Sequence, residues 1–101
     1  MEITIVHVPD CPNLSLIKSR LAAALEIIGR AASVDDRVVI DAEEAVDIGF
    51  GGSPTILVGG QDAFPGSSVG LGCRLYPTED GPQGAPSVAQ LVAALTTGSP
   101  A

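Results

Sequence analysis

Ile3-Thr4-Ile5-Val6-His7-Val8-Pro9-Asp10-Cys11-Pro12-Asn13-Leu14, read together with Gly52-Ser53-Pro54-Thr55, organises this chain. The first stretch is a run of β-branched residues that stops at Pro9 and places a cysteine where a helix begins. A nearly continuous apolar run of this length is expected of a strand covered on both faces in a parallel sheet. Pro12 suits a helix's first turn, where its missing N–H costs nothing. A cysteine at such a junction faces unpaired backbone N–H groups, which favour the thiolate over the thiol. The second stretch is a glycine-rich approach to a proline, followed at once by the apolar run Thr55-Ile56-Leu57-Val58.

Outward from the cysteine, Leu14, Ile17, Leu21, Ala24, Leu25 and Ile28 recur at helical spacing and predict a helix over about 12–29 ending at Gly29. Val34–Ile40 reads as a second strand, strongest at Val38-Val39-Ile40. Strand, helix and strand in this order predict a right-handed βαβ unit. Asp41-Ala42-Glu43-Glu44 predicts a capped short helix through about Ile48, closed by Gly49-Phe50-Gly51-Gly52. Residues 55–58 form a third strand, Gly59-Gly60 a hairpin turn, and Gln61–Phe64 a short antiparallel return.

Residues 65–85 are rich in Gly, Pro and Ser yet carry Leu71, Cys73, Leu75 and Tyr76. They are expected to form a long loop without regular structure that either covers a functional edge or is partly mobile. Pro86 and Ser87 open a last helix with Val88, Leu91, Val92 and Leu95 on one stripe. The domain is expected to span 1–97, with 98–101 a flexible tail.

The chain has 101 residues, room for one core, and 46% of them are hydrophobic while only 3% are aromatic. The core must therefore be built from Val, Ile, Leu and Ala. A net charge of −7, with five Lys plus Arg, argues against nucleic acid or an anionic membrane as partner. No apolar run approaches a membrane span, and Met1–Val8 lacks the features of a signal peptide, so a cytoplasmic location is expected. In that reducing compartment two cysteines point to free, catalytic or metal-binding thiols rather than a permanent disulfide.

The order of elements, with Cys11-Pro12-Asn13-Leu14 after the first strand and Ser53-Pro54-Thr55 before the third, resembles the compact, glutaredoxin-sized form of the thioredoxin-like superfamily. The resemblance covers about residues 3–64 and 86–95. It implies an α/β fold: a three-layer βαβ–(short α)–ββα sandwich around a mixed sheet of about four strands. It also implies a cis bond before Pro54, and a substrate site formed by Pro12, Ser53, Pro54 and Thr55 in which the Ser53 backbone pairs with an extended peptide or a glutathione-like molecule. Leu14 stands where the family's redox C-x-x-C motif has its second cysteine, so a mixed disulfide at Cys11 cannot be resolved within the motif. Cys73 is the other candidate sulfur in the chain. Gly72-Cys73-Arg74-Leu75-Tyr76, with Gly84-Ala85-Pro86-Ser87, is also similar to small actinobacterial thioredoxin-like proteins of an alkylmercury lyase-like group.

Three functions follow as expectations. The first is thiol–disulfide exchange at Cys11, with a protein or small-molecule disulfide as partner, and with Cys73 or an external low-molecular-weight thiol releasing the product. No bound cofactor is expected. The second is binding of a soft metal or cleavage of an organomercurial by Cys11 and Cys73, since two thiolates suit Hg²⁺ or Cu(I), with Asp10 the nearest proton donor. The third is an interaction domain that keeps the fold without the chemistry. His7, in mid-strand, reads as a hydrogen-bonded core histidine, and Asp41, Glu43, Glu44 and Asp47 as a solvated helix face. Two cysteines and one histidine are too few ligands for a closed structural zinc site.

Overall fold

A computed structural model describes residues 1–96. Eleven elements follow in order: β1 (Glu2–His7), α1 (Leu14–Ile28), β2 (Ser33–Val38), α2 (Ala42–Ile48), β3 (Gly51–Ser53), β4 (Thr55–Val58), β5 (Gln61–Asp62), β6 (Gly70–Cys73), β7 (Tyr76–Thr78), β8 (Gly81–Gln83) and α3 (Val88–Thr96). Four strands form a mixed sheet in the order β2-β1-β4-β5. β1 runs parallel to β2 and antiparallel to β4, and β4 turns through Gly59-Gly60 into β5. Two ribbons, β3 with β6 and β7 with β8, stand beside it.

Alternation along β1 feeds two cores. Ile3 and Ile5 join Ile56 and Val58 beneath α1 and α3, which supply Ile17, Leu21, Ala24, Leu91 and Leu95. Val6 faces the other side with Val39, Ala45 of α2 and Phe50. Helices thus cover both faces of the central strand, which explains its continuous apolar run.

The caps follow the local sequence. Gly29 closes α1 in the left-handed conformation with φ 66°, its N–H bonded to the Leu25 carbonyl. Asp41 accepts the Glu44 N–H at the start of α2. Ser87 and Gln90 bond reciprocally, side chain to backbone, at the start of α3. Arg20 of α1 donates to the Ala85 and Pro86 carbonyls and so ties the two long helices together.

Three expectations need correction. β2 ends at Val38; Val39 is buried just beyond the strand, and Ile40 is 70% exposed. All six β2 residues are exposed, and β2 is an edge strand of the sheet. Residues 65–85 are not structureless, since they contain β6, β7 and β8, held by pairing to β3 and to one another. α1 starts at Leu14, with Cys11–Asn13 in a turn before it. The expected tail at 98–101 lies outside the described residues. Among the described residues, no helix is long and apolar enough to cross a membrane.

Candidate functional site

Cys11 lies just past the end of β1, where Val8 to Asp10 turn the chain out of the sheet. Asp10 takes the left-handed conformation, φ 57°, which is tolerated by short polar side chains. The Cys11 carbonyl accepts the Leu14 N–H at 3.3 Å, so the cysteine opens the turn that leads into α1. Its side chain is half-buried, Pro12 is exposed, and Asn13 caps the helix without a side-chain bond. The Asn13 amide lies instead over Gly84: a methyl group there would overlap its Cγ, Oδ1 and Nδ2. The chain just before α3 therefore packs directly on the cysteine turn.

The Ser53–Pro54 peptide is cis, and the loop sits deep inside the molecule. Ser53 and Thr55 are each 1% exposed, and the Pro54 side chain is fully buried. The Ser53 hydroxyl accepts the Val8 N–H at 3.1 Å, which ties the loop to the end of β1. Its carbonyl accepts the Arg74 N–H at 3.0 Å, and Cys73 is its register partner in β6. Thr55 Oγ1 donates to the Gly52 carbonyl. Ser53, Pro54 and Thr55, expected to meet a partner, are enclosed in this arrangement. Residues 70–76 cover them, and the Ser53 carbonyl already has a donor.

Two residues of greater consequence went unassigned in the sequence. Arg74, 5% exposed, donates to Thr55 Oγ1 at 3.2 Å, to Asp62 Oδ2 at 2.8 Å and to the Phe64 carbonyl. Its guanidinium lies 4.6 Å from the centroid of the Tyr76 ring. Tyr76, 2% exposed, donates its hydroxyl to the Pro54 carbonyl at 2.5 Å and meets Phe64 edge to face. Burial pushes the Tyr76 phenol far above its usual range. The Arg74 cation opposes this, while negative charge on Asp62 and on Cys11 adds to it. The signal for the pair was their i, i+2 spacing, which puts both on one side of an extended segment while Leu75 points out, 67% exposed.

The structure thus sets exposed Cys73 alongside Ser53 and ties the proline loop, through the Val8–Ser53 hydrogen bond, to the strand end that leads into the Cys11 turn; both cysteines are free thiols. His7 is buried, with Nδ1 bonded to the Val8 carbonyl at 2.9 Å, in keeping with a core histidine. Arg74 and Tyr76 also line a cleft of about 420 Å³ with Phe64, Pro65, Pro77 and Gln90. Among the described residues no group of three or more His, Cys, Asp or Glu side chains is placed to hold a metal ion. Comparison with protein-family models, curated proteins and solved structures returns no match for this chain.

Proposed function

We propose that this chain is a thiol-reactive protein of thioredoxin-like type, with Cys11 as nucleophile in thiol–disulfide exchange. The observation that carries the reading is the tie between the cysteine turn and the cis-proline loop: the N–H of Val8, three residues before Cys11, donates to Ser53 Oγ at 3.1 Å, and the Tyr76 hydroxyl bonds the Pro54 carbonyl. The parallel β1 and β2 pair, joined by α1 and extended by the antiparallel strands β4 and β5, supports the thioredoxin-like part of the reading. The ribbons β3–β6 and β7–β8 are additions that such a core does not need.

In the proposed reaction the Cys11 thiolate attacks one sulfur of a disulfide, and the S–S bond breaks to release a partner thiolate, which takes up a proton. The Cys73 thiolate then attacks the Cys11 sulfur, releasing the second partner thiolate and leaving a Cys11–Cys73 disulfide that external thiols reduce. Alternatively, an external low-molecular-weight thiolate attacks the partner's sulfur, forming a new disulfide with it and freeing the Cys11 thiolate. Because Ser53–Thr55 are buried, the loop's part is to brace the end of β1 that leads into the Cys11 turn, through the Val8–Ser53 hydrogen bond, and the partner approaches from the side of exposed Pro12. Small disulfides suit this approach better than strand-like peptides.

The test is mixed-disulfide formation with oxidised glutathione in wild type, Cys11→Ser and Cys73→Ser. Cys11→Ser is expected to abolish the fast adduct, and Cys73→Ser to retain it while altering its release. A fast adduct that survives in Cys11→Ser defeats the proposal. The reading of a non-catalytic interaction domain draws on the same burial of Ser53–Thr55. It is the one to adopt if neither sulfur forms an adduct.

A further inference from the structure

The outer edge of β2 has no partner strand among the described residues, and its residues are all exposed. Ser33 and Val39 direct their N–H groups to the Met1 and His7 carbonyls. The odd-numbered residues of this segment therefore bond β1, and Val34, Asp36 and Val38 present backbone N–H and C=O groups on the free edge. Side chains alternate as well. Asp36 is paired with Lys18 of α1, which puts Val34, Asp36 and Val38 on the α1 face. Arg37 pairs with Glu44 of α2, which puts Arg37 and Asp35 on the other face.

We infer that β2 is a self-complementary edge on which a second copy of this chain pairs antiparallel about a two-fold axis at Asp36. In that register Asp36 opposes its own copy, and each Val34 opposes the other copy's Val38. These are the residues whose backbone groups point outward, so each can exchange both hydrogen bonds with its counterpart. On the α2 face each Asp35 opposes the other copy's Arg37, giving two ion pairs of opposite sign. On the α1 face the valines, 42% and 46% exposed, cover one another. The like-charged contact at the centre is offset by the two Lys18 side chains already bonded to Asp36. Charges on an edge strand ordinarily block association, but here their signs are ordered so that this register pairs them. The product is one continuous eight-stranded sheet, twice the β2-β1-β4-β5 set.

Sedimentation equilibrium over a range of concentrations tests this. Wild type is expected to move from the 10.2 kDa monomer to twice that mass, with dissociation in the micromolar range given so small an interface. Arg37→Asp and Asp35→Arg each turn both ion pairs into repulsions and are expected to weaken association by on the order of tenfold or more. The double swap D35R/R37D restores opposite signs and is expected to recover it. Both sites are exposed, and circular dichroism checks that each of the three variants folds. A wild type that stays monomeric at every concentration gives the edge to some other partner and overturns the inference. So do single variants that associate like wild type, and a double swap that does not recover.

Discussion

Tyr76 donates a hydrogen bond from its hydroxyl to the Pro54 carbonyl, lies against Arg74 and meets Phe64 edge to face. Tyr76→Phe keeps the ring and removes the donor, leaving a buried carbonyl unpaired at a cost of about 1–3 kcal/mol in chemical denaturation. The phenol also makes stability depend on pH. Above the unfolded tyrosine value of about 10 the unfolded chain loses a proton that the folded chain keeps, so it binds fewer protons and stability falls as pH rises. That alkaline decline is expected to be shallower in Tyr76→Phe. With one tyrosine and no tryptophan in the chain, tyrosinate absorbance reports the titration without interference. Gly84 belongs to the same scale. Gly84→Ala displaces the Asn13 amide from its seat against the cysteine turn and is expected to change the alkylation rate of Cys11 several-fold while leaving that of Cys73 unchanged. Equal rates in the variant and wild type would show that the turn does not depend on this contact.

At the scale of elements, Arg74 closes the segment 65–73 at its base by bonding Asp62 and the Phe64 carbonyl from the far end. Its ion pair is almost wholly enclosed on the arginine side, at 4% exposure, and 19% exposed at Asp62. Arg74→Met is expected to cost about 3 kcal/mol, the lower end for a broken buried pair because water still reaches Asp62. The double variant with Asp62→Asn should cost less than the two single changes added together. Additive losses would mean that the two side chains act independently. None of this was legible beforehand. A segment with so many Gly, Pro and Ser residues reads as loop, and the strands in it exist because β3 offers an edge and Arg74 an anchor. The helix ends were legible at Asp41, Gly29 and Ser87, because each acts within a single turn.

At the scale of the molecule, the two cores meet at β1, and its β-branched run announced a strand covered on both faces. The position of β2 was hidden because Val38-Val39-Ile40 looks like a strand interior, whereas pairing with β1 ends at Val38 and only Val39 turns inward. Leu91, on the inner face of α3, is wholly buried. Leu91→Ala is expected to lose about 2–5 kcal/mol of stability through lost burial and the cavity left behind, measured as a shift in denaturation midpoint. A loss well below 1 kcal/mol would mean that α3 contributes little to the core.

The cysteines give the most direct test of the whole account, because exposure and the proposed site rank them in opposite orders. Cys73 is exposed and Cys11 half-buried, so accessibility alone makes Cys73 the faster sulfur. The measurement is limited alkylation and mild disulfide oxidation of the folded protein, with the modified sulfurs mapped over time by mass spectrometry. The account predicts that Cys11 reacts first and that Cys73 follows. Cys73 reacting first, with Cys11 modified only on unfolding, would contradict it.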